Sequence, residues 1–213
     1  MLLAFDTATA SVTVCLYDPS AGVVLAERNG IGPMKHGELL APAIDEVMTQ
    51  AGVSREELSA IVVGVGPGPY TGLRVGVVTA RTLGYALGLP VHGVCSLDAI
   101  ALAAVDDGLA EPFLVTTDAR RKELFWAAYD AAGERVEGPF VDKPAELPQD
   151  RPVVGAGPEL YPDLFATGTG PRDPAASALA RLVASGRAKV LDPEPIYLRR
   201  PDAVAPGQPK PVS

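Results

Sequence analysis

The stretch from Thr71 to Gly88 constrains this chain more than any other, because it reads as a helix with almost no side left for water. Small residues recur at every fourth position: Gly72, Gly76, Ala80, Gly84 and Gly88. Leu73, Val75, Val77, Val78, Leu83, Tyr85, Ala86 and Leu87 fill the gaps, and only Arg74, Thr79, Arg81 and Thr82 are polar. A helix on a protein surface carries a polar face, so this one needs cover on both sides. Glycine inside a helix costs about 0.8–1 kcal/mol relative to alanine, and close approach by another backbone offsets such a cost. Two sources of cover are open. The sheet and a helix at 36–51 of the same chain can supply all of it, or one side can meet another protein. A lobe of this size has few elements left for the second face, which favours a partner. The expected partner face is then Leu39, Leu40, Ala43 and Val47 on the first helix, with Gly72, Leu73, Gly76, Ala80, Leu83 and Gly84 on the second. On that expectation, Gly76→Leu or Gly84→Leu leaves the monomer folded and abolishes partner binding.

The remaining pattern is α/β. Residues 2–6, 12–18 and 23–28 read as three strands, the second by strict alternation, with an Asp18–Gly22 turn between the last two. An amphipathic helix spans 36–51 and stops at Gly52. Ala60–Val65 is a continuous apolar strand, followed by the loop Gly66-Pro67-Gly68-Pro69-Tyr70 and the long helix, which Thr71 can cap. Val91–Val94 is a strand, and Ser96 is placed to cap a helix running through Ala104. A shortened copy of this order begins near residue 112, with strands at 113–117, 124–129, 135–141 and 152–154 and a helix from about 173 to 186. Two joined α/β lobes follow, residues 1–107 and a reduced 108–200, with a loose proline-rich tail at 201–213.

Eighteen basic residues against twenty-six acidic give a net charge of -8, so RNA is repelled in bulk and any nucleic-acid role is local or through a partner. Two cysteines, Cys15 and Cys95, are too few for a disulfide framework and read as packing thiols in a reduced compartment. The opening Met1–Asp6 has no basic flank and reaches a carboxylate early, unlike a signal peptide. No apolar stretch reaches membrane-spanning length without a polar break. The expected location is the cytoplasm.

The segment Gly66-Pro67-Gly68-Pro69-Tyr70-Thr71-Gly72-Leu73-Arg74-Val75-Gly76 resembles the signature of the TsaB (YeaZ) family. Further matches follow in order: Leu2 to Thr9, Lys35-His36, Ser96-Leu97-Asp98, Thr117 to Arg120 with Glu123 to Tyr129, and Glu194 to Arg199. The resemblance covers nearly the whole chain except the tail. It implies the two-lobed, ribonuclease H-like fold shared by actin, Hsp70 and sugar kinases. It also implies a non-catalytic subunit with no cofactor, which binds and activates the TsaD transferase together with the ATPase TsaE. That complex places threonylcarbamoyl on the adenosine next to the anticodon of tRNAs reading codons that begin with A. The implied partners are TsaD and TsaE, with tRNA indirectly, and a homodimer through the same helices when TsaD is missing.

The alternative is an enzyme acting alone, an actin-like-fold nucleotide phosphotransferase or a hydrolase. TsaD holds its metal with two histidines four apart on one helix face. Here the two histidines are His36 and His92, neither with a second at helical spacing, so no metal site of that type is expected. Asp6-Thr7-Ala8-Thr9-Ala10-Ser11 keeps the aspartate and hydroxyls of a phosphate turn but lacks its glycine. The Gly66–Gly72 loop has no Lys-Ser/Thr pair of the Walker type, and no Gly-x-Ser-x-Gly elbow occurs. No catalytic residue is assigned. Asp6, Thr7, Thr9 and Arg74 are the weak candidates for holding a nucleotide or anion, the last through a helix N-terminus. Arg120-Arg121 and Arg199-Arg200 are the densest basic spots, read as solvated charge or as contacts to tRNA or partner carboxylates.

Overall fold

The computed structural model describes residues 1–31, 35–165 and 170–199. The proline-rich tail assigned to 201–213, and Arg200, lie outside them. The element order is β1 (Leu2–Asp6), β2 (Val12–Asp18), β3 (Val23–Ile31), α1 (His36–Ala51), β4 (Ala60–Gly64), α2 (Tyr70–Leu87), β5 (Val91–Val94) and α3 (Ser96–Asp106). The second half continues with β6 (Phe113–Asp118), β7 (Leu124–Tyr129), β8 (Arg135–Asp142), β9 (Val153–Gly155), α4 (Gly157–Leu160) and α5 (Ala176–Ala184).

The first sheet has the order β3-β2-β1-β4-β5, with β1 antiparallel to β2 and parallel to β4. The second has the order β8-β7-β6-β9, with β6 antiparallel to β7 and parallel to β9. Among the described residues the second sheet therefore repeats the first up to its fourth strand and has no fifth. This is the two-lobed α/β architecture of actin-like folds with the second lobe shortened.

Alternation along β1 and β4 divides the first lobe's core. Leu3, Phe5, Ile61 and Val63 face α1 and α2, where Leu40, Ala43, Val47, Val77 and Ala80 pack. Leu2, Ala4, Ala60 and Val62 point the other way, to Ala99 and Leu102 of α3 and to Ala176, Leu179 and Leu182 of α5. Helix α5 comes from the second half of the sequence yet completes the first sheet's core, so the expected division into residues 1–107 and 108–200 does not separate two independent packing units. Helix α3 lies between the sheets, with Leu97, Ile100, Ala101 and Ala104 against Phe113, Val115 and Tyr129.

Glycine stops α1 and α2 as expected, with Gly52 and Gly88 in the left-handed region at φ 64° and 66°. The two expected N-caps are not formed. Helix α2 begins a residue early, after Pro69, with no side-chain cap. Ser96 does not cap α3, because its hydroxyl is engaged by Asp6.

Candidate functional site

Helix α2 meets its own chain along the small-residue stripe from Gly72 to Gly84, while Gly88 at its end is exposed. Gly72, Leu73, Gly76, Val77, Ala80 and Gly84 are all buried. A methyl group at Gly72 would lie 2.5 Å from the Thr7 carbonyl oxygen, one at Gly76 would overlap Thr7 Oγ1, and one at Gly84 would overlap Val91. Thr7 Oγ1 donates to the Gly72 carbonyl at 2.8 Å and locks this approach. The stripe is thus an internal seam, formed with the turn after β1 at Gly72 and Gly76 and with the start of β5 at Gly84. This corrects the expected partner face: Leu40, Ala43, Val47, Gly72, Leu73, Gly76, Ala80 and Gly84 are buried within the chain, and only Leu39 and Leu83 keep partial exposure. It also reverses the expectation for Gly76→Leu and Gly84→Leu, which now strike the fold itself.

The opposite side of α2 is the exposed one. Tyr70, Arg74, Val78, Arg81 and Tyr85 follow one another at helical spacing, with Val78 56% and Tyr85 93% exposed. Alongside runs a groove of 660 Å³ between α1 and α2, lined by Ile44, Met48, Val53, Thr79 and Leu83 among others, with Asp45 and Arg55 at its rim. At the start of α2, Tyr70 stacks on Tyr197 with centroids 5.0 Å apart. The Arg74 guanidinium lies over the Tyr70 ring and donates to its hydroxyl at 2.6 Å.

The turn after β1 is sealed. Asp6 and Thr7 are buried, and Asp6 accepts from Ser96 Oγ at 2.5 Å and from the Ala8 N–H at 2.7 Å. Ser96 Oγ in turn accepts from the Gly66 N–H at 3.1 Å. Gly64 has no side chain because Asp6 occupies that space, and Gly68 has none because the Ala8 carbonyl does. Burial pushes the Asp6 carboxyl up to about 6, against the lowering effect of its two hydrogen bonds. Among the expected nucleotide candidates, Asp6 and Thr7 are therefore closed to ligands. Thr9 accepts from the Ser11 N–H through its hydroxyl and meets the His36 ring through its carbonyl at 2.8 Å. Arg74 is exposed but engaged with Tyr70.

Two further clusters stand out, of which sequence reasoning marks only the basic charge of the second. Asp98, in the first turn of α3, accepts from Tyr129 Oη at 2.7 Å and from Arg135 Nε at 2.9 Å, and joins the first lobe to the second. The Asp98 and Arg135 side chains are only 12% and 15% exposed. Burial and the neighbouring Asp98 hold the Tyr129 hydroxyl well above its ordinary pKa. Cys15 and Cys95 are both free and buried, and burial pushes each thiol up to about 12.

The other cluster is the β6–β7 hairpin. Its tip, Arg120-Arg121-Lys122, holds three successive residues at φ 61°, 55° and 62°. Among the described residues, every other residue in this region is glycine. A non-glycine residue there costs about 1–2 kcal/mol. The turn is closed by Ala119 N–H to the Glu123 carbonyl and by Glu123 N–H to the Arg120 carbonyl, both 3.1 Å. Asp118 pairs with Arg120 at 3.1 Å, while Arg199 donates to the Ala119 carbonyl at 2.9 Å and pairs with Glu123.

Among the described residues no helix is long and apolar enough to cross a membrane. A family model described as TsaD: tRNA N6-adenosine threonylcarbamoyltransferase matches residues 23–162. An uncharacterized protein of Mycobacterium leprae is 43% identical across 95% of this chain, which spans 56% of that relative's length. The tRNA threonylcarbamoyladenosine biosynthesis protein TsaB of Escherichia coli is 31% identical across 93% of this chain and 94% of its own. The solved structure of YeaZ from Pseudomonas aeruginosa superposes with a TM-score of 0.78 at 27% identity, covering 92% of this chain and 99% of that one. Similarity of sequence over nearly the full length of the Escherichia coli protein, together with the shared two-lobed fold, leads to one conclusion: the chain belongs to the TsaB (YeaZ) family.

Proposed function

We propose that this chain is the non-catalytic subunit that binds and activates a TsaD-type transferase, working with a TsaE-type ATPase in threonylcarbamoylation of the tRNA adenosine next to the anticodon. The observation that carries the proposal is the outer face of α2, where Val78 and Tyr85 stand in water beside the apolar α1–α2 groove. Apolar side chains so exposed on a rigid helix, next to a groove, suit a helix-in-groove or helix-on-helix contact. The match to a TsaD family model supports a transferase as the occupant, because related lobes carry related helices. A second copy of this chain can use the same face when the transferase is absent. The sealed turn around Asp6 and Thr7 supports an accessory role over nucleotide chemistry, since both side chains are buried and hydrogen-bonded within the chain.

The experiment is reconstitution of the modification from purified components. Omitting this chain is expected to stop modification, and Val78→Asp with Tyr85→Ala is expected to prevent complex formation on size exclusion while the monomer melts as wild type. Modification at the full rate without this chain, or robust phosphate release from ATP by this chain alone, overturns the proposal.

A further inference from the structure

The segment that follows α5 leaves the core and crosses both lobes. Leu191 lies along the outer edge of β5 and exchanges two backbone hydrogen bonds of 2.9 Å with Gly93. A methyl group at Gly93 would meet the Asp192 carbonyl oxygen at 2.6 Å, so this glycine is the notch that admits the segment. The Ile196 N–H donates to the Val65 carbonyl at 2.8 Å, and the Ile196 side chain packs against the first lobe's core and against the core between the lobes. Tyr197 then stacks on Tyr70 at the start of α2, while Arg199 donates to the Ala119 carbonyl and pairs with Glu123 in the second lobe. Val65 and Ala119 are each the first residue beyond the carboxyl end of an interior strand, β4 and β6. The segment therefore runs from one rim to the other, where α/β sheets leave a crevice. It is held lightly, because every residue from Asp192 to Arg199 keeps partial or full exposure. A segment with so few buried contacts opens without unfolding the rest, and Pro193 and Pro195 stiffen it. We propose that residues 191–199 are a latch across the two lobes, and that a partner seated on the outer face of α2 holds it shut through Tyr197. Tyr197 is 42% exposed and continues that face beyond Tyr70. A partner that touches it in place binds the latched state more tightly than the open one and shifts the population toward it.

Amide hydrogen exchange on the isolated full chain tests the latch. The Gly93, Leu191 and Ile196 N–H groups are expected to exchange together, about tenfold or more faster than the amides of β1. Tyr197→Ala alters only the first-lobe end of the latch. It is nevertheless expected to speed exchange at those three groups, and at Ala119 and Glu123 in the second lobe, by about threefold to tenfold, with α3 and α5 unchanged. Tyr197→Phe keeps the stack and is expected to match the wild type. Exchange of the three groups only at the rate of global unfolding makes the segment part of the core and overturns the latch. Wild-type exchange at Ala119 and Glu123 in Tyr197→Ala makes the two ends independent and overturns it equally. The partner's hold rests on the proposed function. Adding a TsaD-type transferase is expected to slow exchange at Leu191 and Ile196 about tenfold in the wild type and less in Tyr197→Ala. Unchanged exchange within a complex that forms overturns that hold alone. If no complex forms, the proposed function falls and takes the partner's hold with it, while the latch stands or falls on the isolated chain.

Discussion

Gly72→Ala tests the internal seam with the smallest perturbation available. The added methyl lies 2.5 Å from the Thr7 carbonyl oxygen, an obstacle made of backbone that cannot rotate away. Helix α2 or the turn after β1 must shift, which costs about 1–3 kcal/mol as overpacking. The shift also strains the 2.8 Å hydrogen bond from Thr7 Oγ1 to the Gly72 carbonyl, worth about 0.5–1.5 kcal/mol. Alanine returns up to about 1 kcal/mol of helix propensity. The net expectation is a loss of about 1–3 kcal/mol, which lowers Tm by roughly 3–9 °C in a chain of this size. Gly37→Ala in α1 is the matched control, since a methyl there meets nothing within 4 Å. That variant is expected to equal or exceed wild-type stability. Urea denaturation with linear extrapolation, read alongside thermal melts, separates the two signs. A Gly72→Ala protein as stable as Gly37→Ala refutes the seam.

Asp6 adds a pH dependence. A folded-state pKa raised from 3.8 to about 6 means that the charged form destabilises the fold: the penalty is absent below about pH 4, grows as pH rises through 6, and levels off above it. Asp6→Asn is expected to remove this component and stabilise the protein by about 1–2 kcal/mol at about pH 8, with little effect near pH 4, as urea midpoints at the two pH values will report. Asp98→Ala leaves the Arg135 guanidinium and the Tyr129 hydroxyl without their shared acceptor at the lobe junction. A loss of about 3–5 kcal/mol is expected, and a variant that melts with the wild type removes Asp98 as the clamp between lobes.

Element positions were legible because period-two alternation and glycine stops are local signals. The strands of both sheets and the helices α1, α2 and α3 fall within a residue or two of where the sequence puts them, except β3, which runs three residues past its expected end at Arg28. The orientation of α2 was not legible. Small residues four apart announce a close approach, but the thing approached is Thr7, which lies 65 positions away from Gly72 and carries no mark of it. Seen with that contact, the outward residues are the ones left over, Val78 and Tyr85. Ser96 failed as a cap for the same reason: serine before an apolar run is a local signal, and a buried carboxylate from β1 outcompetes it. The basic hairpin tip was visible as charge, while its three left-handed residues needed the backbone to be seen.

The lodging of α5 beneath β1, β2 and β4 has a consequence for how the chain matures. During synthesis the first hundred residues leave the ribosome with the apolar face of Leu2, Ala4, Ala60 and Val62 still awaiting Ala176, Leu179 and Leu182. The first sheet is therefore born incomplete, and its last layer arrives only once residues 176–184 have been made. A half-length fragment ending before β6 inherits that uncovered face for good, so the shortened second lobe acts as the finishing plate of the first.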